Sequence, residues 1–173
     1  MASAHLATLC VLTVALSDCS GPADTRTGGD QSCQGRGTSV VVDLVEHRLC
    51  LCEDESVAAA YRVAIGKGGT GKRREGDHKT PVGAYPLGTP RASSEFGTFI
   101  PVGYPTAEQR REGYTGSAIG IHGPSRPFAW AGPMNIAADW TEGCIAVSSD
   151  EAIDDIATWV RQKRPRWVYL ETD

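Results

Sequence analysis

The chain has 173 residues, of which 40% are hydrophobic and 22% charged. That is ordinary globular composition, and once a leader is set aside it fits a single domain. A net charge of −4 argues against a nucleic-acid partner, and twenty glycines with ten prolines point to many turns and a β-rich fold.

Residues 6–16 (LATLCVLTVAL) are an apolar run too short for a membrane span and suited to the core of a signal peptide. Leu16, Ser17, Asp18 and Cys19 resemble a bacterial lipobox, which makes Cys19 a candidate lipidation site and lipid anchor. Asp18 is atypical there, so simple cleavage and an uncleaved anchor stay open. Residues 1–19 are read as the leader. Residues 20–37, rich in Gly, Asp, Thr and Ser, are read as a flexible tether, and 38–173 as the folded domain. The leader places that domain outside the cytoplasm.

Residues 38–44 (TSVVVDL) are β-branched and predict a strand. Residues 48–53 predict its hairpin return and 57–65 a third strand, an antiparallel meander apolar on one face. Cys50 and Cys52 alternate with Leu49 and Leu51 and share one strand face. In an oxidising compartment one of them can pair with Cys33, and the sequence does not choose between them. C-x-C is not a usual zinc spacing, so neither a metal nor another cofactor is expected.

The loop at 66–79 carries Lys67, Lys72, Arg73, Arg74 and Lys79. It reads as a solvated loop, or as a basic rim that draws in carboxylates, with Lys72 and Arg73 as candidate substrate contacts. Prolines bracket an extended stretch at 80–86. Residues 96–102 predict a strand, 104–115 a short helix or lid, and 118–122 a buried strand. The aromatics of 123–138 read as core packing, or as a wall of a cleft. Ser148 to Glu151 fits a capping box for a helix over 150–163. Ala152, Ile153, Ile156, Trp159 and Val160 recur on one face of it, its charges suit the helix dipole, and Pro165 stops it. Residues 166–170 close the sheet.

Two motifs carry chemistry: IGIHG at 119–123 and DWTEGCI at 139–145. A thiol needs a base to become nucleophilic, and imidazole is the usual one. His122 and Cys144 lie too far apart for one helical face and must meet in space. The Gly123 carbonyl is placed to hold the Nδ1 proton of His122, leaving Nε2 to face sulfur. Gly143 permits a tight turn, and the N–H groups of Gly143 and Cys144 are candidate oxyanion donors. The plainer reading is a small buried cysteine and a structural histidine.

These motifs, I-x-I-H-G followed by [S/T]-x-G-C-I, resemble the catalytic domain of L,D-transpeptidases, the YkuD-type domain. A second block, YRVAIG at 61–66 followed by GDHKTPVGAY at 76–85, is similar to another segment of that family. The resemblance runs from about Ser39 to Leu170. It implies a mainly β (α+β) fold: a single β-sandwich domain with one C-terminal amphipathic helix packed on the sheet. It also implies a cysteine acyltransferase acting on peptidoglycan stem peptides. Cys144 would be nucleophile, His122 base, Thr141 a substrate contact that also bonds within the turn, and Asp77 and Thr80 loop stabilisers first and substrate contacts second.

The sequence departs from the commonest family pattern. Glu142 precedes Gly143 and Cys144 where many members have His, Ala146 stands where many have Arg or Asn, and the His-to-Cys gap is longer. These features resemble a YafK-like branch that includes enzymes cutting links to peptidoglycan. A hydrolase, either a carboxypeptidase or an amidase releasing an envelope protein, is therefore the alternative to a transferase. A non-catalytic envelope-binding module is the third reading. A depressed thiol pKa would mark a catalytic pair.

Overall fold

The computed structural model describes residues 31–172. The leader, Cys10, Cys19 and residues 20–30 of the expected tether lie outside the described residues. Nine strands are present: β1 (Ser39–Asp43), β2 (Arg48–Glu53), β3 (Ser56–Ala64), β4 (Gly83–Pro86), β5 (Arg91–Ser93), β6 (Gly97–Pro101), β7 (Gly120–His122), β8 (Ile145–Val147) and β9 (Trp167–Glu171). Two α-helices join them, α1 (Ala107–Arg111) and α2 (Asp150–Lys163). The strands run β4-β9-β1-β2-β3-β8-β7-β6-β5 in one curled sheet. Its pairings are antiparallel except β1 with β9 and β7 with β8.

β3 turns the sheet on itself. Residues 56–62 of it pair with β2, and Val63 and Ala64 pair instead with β8. One strand therefore serves both halves of a sandwich-like fold. Val40, Val42, Leu49, Leu51, Val168 and Leu170 from one half meet Ile100, Ile121, Ile145 and Val147 from the other in a single core. Helix α2 adds Ile153, Ile156, Ala157 and Val160 to it and packs against β6, as the helical spacing predicts.

The meander was expected to be apolar on one face, but β1 and β2 are buried on both. Val41, Cys50 and Cys52 point away from the main core and form a second small cluster with Cys33. A 3₁₀ turn, Gln31–Cys33, lies there, and the disulfide joins Cys33 to Cys52, which decides the pairing the sequence left open. Residues 31–37, expected to belong to a loose tether, are tied down. The Arg36 guanidinium sits 4.3 Å over the Tyr169 ring and pairs with Glu171.

The strand in 96–102 is shorter than expected, β4 forms within the extended stretch at 80–86, and β5 lies in a stretch for which the sequence reading names no element. The α2 cap is Ser149, whose hydroxyl accepts from the Ala152 N–H, one residue later than the capping box read from the sequence. The helix ends where Arg164 turns left-handed, at φ 51°.

The disulfide closes a loop of sequence separation 19, worth about 3 kcal/mol in chain entropy. Cys33→Ala is expected to lower unfolding stability by about that amount in non-reducing denaturant titrations. Cys50→Ala, which leaves the link intact, is expected to cost about 1 kcal/mol.

Candidate active site

The site is built on two short parallel strands. Ile121 of β7 pairs with Ile145 of β8, and His122 with Ala146. Ile121 and Ile145 face the core, so strand alternation turns Gly120 and His122 to the opposite face. Continuing the register by one residue sets Cys144 beside Gly120, diagonal to His122 on that same face.

Two glycines are fixed by crowding. A Cβ on Gly120 would fall 2.2 Å from Phe99 Cζ. Gly143 has φ 126°, and its Cβ would fall 2.5 Å from the Lys79 carbonyl oxygen. Thr141 pins the turn between them. Its hydroxyl donates to the Cys144 carbonyl at 2.7 Å and accepts the Gly143 N–H at 3.1 Å. The backbone sews the same turn to the end of β3: Thr141 N–H donates to the Ile65 carbonyl, and Lys67 N–H to the Thr141 carbonyl.

His122 is 1% exposed. Its Nδ1 lies 2.7 Å from the Gly123 carbonyl oxygen, which can only accept, so Nδ1 carries the proton and Nε2 a lone pair. The Phe96 ring stacks on the imidazole at 3.8 Å between centroids and 20° between planes. Phe99 flanks it, and Trp140 meets it edge-on at 5.7 Å. Trp140 is held in turn by its ring N–H, which donates to the Asn135 carbonyl at 2.7 Å. Asn135 donates from Nδ2 to the Phe128 and Ser148 carbonyls. Phe96, Trp140 and Asn135 are not among the candidate site residues read from the sequence, although Phe96 opens the strand expected at 96–102 and Trp140 lies in the DWTEGCI motif. Aromatics in polar loops carry no periodic signal, and only their nearness to His122 gives them meaning.

Burial lowers the His122 pKa to about 4, against the opposing pull of the Gly123 carbonyl. Loss of hydration pushes the Cys144 thiol up to about 11, although the Gly120 N–H and the distant Lys72 charge favour thiolate. The thiol donates to the Ala118 carbonyl at 3.4 Å. Both shifts favour the neutral forms at neutral pH, a thiol and an imidazole, rather than a thiol of lowered pKa. The aromatic shell that orients the ring also strips water from it.

The residues expected to bind substrate fare unequally. Lys72 is 5% exposed. Its ammonium lies 2.8 Å from Asp77 Oδ1 and 3.2 Å from the Arg74 carbonyl, so it is a buried loop staple, not part of a basic rim. Burial alone would raise the Asp77 pKa. The Arg74 N–H, Lys72, and the Arg73 and Lys79 N–H groups outweigh it and hold the carboxyl well below its usual range. Thr80 is buried and accepts the Gly66 N–H at 2.8 Å. Asp77 and Thr80 thus both bond to groups within the loop or at its start. Arg73 lies 5.5 Å over the Tyr114 ring. The Gly143 N–H, an expected oxyanion donor, is directed at Thr141. Glu142 is exposed and bonds Lys67 at 2.6 Å and also His78.

Residues 37–168 match the L,D-transpeptidase catalytic domain, YkuD. The chain belongs to that family. A comparison with curated proteins found no match. The fold is similar to that of the helical cell shape determining protein Pgp2 from Campylobacter jejuni, at 24% identity and a TM-score of 0.63, over 78% of this chain and 47% of that one. Bd1075 from Bdellovibrio bacteriovorus is similar at 23% identity and a TM-score of 0.55, over 77% and 47%. An L,D-transpeptidase from Enterococcus faecium is similar at 14% and 0.52, over 78% and 50%. The L,D-transpeptidase domain described here therefore spans about half the length of these solved structures.

Two measurements test the neutral pair. Because the thiol titrates near 11, the rate of Cys144 alkylation by iodoacetamide is expected to climb about tenfold per pH unit from 7 to 9. A plateau from pH 6 upward would reveal a preformed thiolate–imidazolium pair instead. Because burial is what lowers His122 to about 4, Phe96→Ala is expected to move its NMR titration midpoint up toward the ordinary value of about 6.5. An unmoved midpoint would rule out the Phe96 ring as a source of that burial.

Proposed function

We propose that this domain is a peptidoglycan L,D-transpeptidase with Cys144 as nucleophile and His122 as general base, working outside the cytoplasm. The observation that carries the reading is the placement of both residues on one face of the β7–β8 pair, with Nδ1 of His122 tied to the Gly123 carbonyl. That bond leaves Nε2 as the acceptor for the thiol proton.

Because both groups rest neutral, proton transfer to Nε2 accompanies attack by sulfur on a stem-peptide carbonyl. The bond attacked joins a diamino acid to terminal D-alanine. The Cys144 N–H is the proposed backbone donor to the oxyanion, and losing one such donor costs about 3 kcal/mol of barrier. The imidazolium, supported by the Gly123 carbonyl, returns its proton to the departing D-alanine amine and a thioester remains. An amine from a second stem, or from an envelope protein, then displaces sulfur. Thr141 keeps the turn in register, and Asp77, Thr80 and Lys72 keep the adjoining loop in place. Arg73, on the same loop, is the cation proposed to meet a substrate carboxylate.

One observation favours hydrolysis as the second reading. Ala146, where many members have Arg or Asn, is fully buried beside His122 and offers an acceptor nothing to bind. Water would then resolve the thioester, trimming stems or releasing a linked protein. Pgp2 is described as a helical cell shape determining protein, and a role in shaping the wall is proposed here by that likeness. Lipid anchoring through Cys19 is part of the proposal. Among the described residues no helix is long and apolar enough to cross a membrane.

Incubation of the protein with tetrapeptide muropeptides, followed by mass spectrometry, tests the reading. A cross-linked dimer that has lost D-alanine is expected, with Cys144→Ala and His122→Ala each reducing it by about 10³-fold or more. Tripeptide alone would establish the hydrolase. Residual turnover near the wild-type rate in Cys144→Ala would remove the nucleophile assignment.

A further inference from the structure

Within the crossover from His122 to Cys144, residues Arg126–Ile136 form 3₁₀ turns broken at Gly132, where φ is 52°. The sequence suggests aromatics packed in the core or walling a cleft here, and the structure turns Phe128 and Trp130 outward. Trp130 is 81% exposed, Met134 74% and Phe128 58%. Half of the six exposed large apolar side chains among the described residues thus belong to this one segment. A cluster of this kind on a surface marks a binding site more often than a scattered residue does.

The Trp130 ring is not a loose side chain. Its Nε1–H donates to the Pro127 carbonyl at 3.0 Å, so the indole's only donor is satisfied within the segment and its flat apolar faces are what it offers. The segment is also clamped to the site. Asn135 binds the Phe128 carbonyl within it and the Ser148 carbonyl beyond β8, and its own carbonyl holds Trp140 against His122.

Charge selects the occupant. The only charged residue in the segment is Arg126, and it is paired to Asp150. An uncharged platform on a chain of net charge −4 does not suit an anionic membrane surface, which attracts basic segments. It suits a neutral polymer with apolar faces that is continuous with the stem peptide. We infer that the Trp130–Phe128–Met134 surface binds the N-acetylated glycan strand to which the stem peptide is attached, with a sugar ring stacked on Trp130. This rests on the peptidoglycan reading above and adds a second point of attachment for that substrate. Anchoring the polymer on the crossover that joins His122 to Cys144 raises the local concentration of stems at Cys144.

The test is binding without turnover. The full chain is titrated with a β-1,4-linked N-acetylglucosamine tetramer and followed by NMR. The expected result is saturable binding that Trp130→Ala weakens about tenfold, the scale for losing one central aromatic anchor, and that Trp130→Phe largely retains. Unchanged affinity in Trp130→Ala, or no binding by the wild type, overturns the inference. So does Trp130-dependent pelleting with phosphatidylglycerol vesicles, or Trp130-dependent dimerisation, in the absence of sugar binding. Sugar binding by a chain inactive on muropeptides would sink the proposed activity alone, and an active chain blind to the tetramer would sink this inference alone.

Discussion

The parallel pairing of β7 with β8 is the constraint from which the rest of the domain follows. Parallel neighbours cannot be joined by a tight hairpin and need a long crossover. Here the crossover starts at His122, where β7 ends, and finishes at Cys144, just before β8 begins. Both candidate catalytic residues therefore sit at the two ends of one connection, and register alone sets their separation. Everything the crossover carries, from the exposed Trp130 to the buried Thr141, is positioned by the same two strands.

Around that pair the structure trades hydration for orientation. Phe96, Phe99 and Trp140 enclose the imidazole. A solvated histidine would sample several ring positions, whereas this one is held by a stack, an edge contact and one hydrogen bond. The enclosure makes charge separation unfavourable at rest, so the two groups wait uncharged. In the proposed reaction a substrate carbonyl arriving at sulfur would supply the place where negative charge can go, and the proton would move only then. Preorganised dipoles of this kind are the usual source of catalytic stabilisation.

Local patterns were legible in the sequence. The 3.6-residue spacing of Ile153, Ile156 and Val160 defined α2, and the β-branched run at 38–44 defined β1. The glycines around His122 and Cys144 pointed to the site because backbone crowding there leaves room for nothing larger. What escaped depends on contacts between distant parts of the chain. Val41 and Cys50 are buried because residues 31–37 return across the sheet, which strand periodicity cannot foresee. Lys72 reads as a solvated cation until Asp77 and the Arg74 carbonyl close over it. Phe128 and Trp130 read as core or as a cleft wall because they are apolar, but the buried side of the segment that carries them is taken by Asn135. The neutral state of the site was illegible for the same reason: pKa values follow from burial, and burial is tertiary.

The disulfide has a mechanical meaning. Cys33 precedes β1, whereas Cys52 lies near the end of β2, in the interior of the nine-stranded sheet. Tension applied to the chain ahead of Cys33 passes through the covalent bond straight into β2 and never loads residues 34–51. β1 therefore cannot be peeled from the sheet by a pull on the N-terminal side. Under the proposed reading, with the chain ahead of Cys33 anchored and peptidoglycan as substrate, strain would enter the domain at a point where strands on both sides resist it.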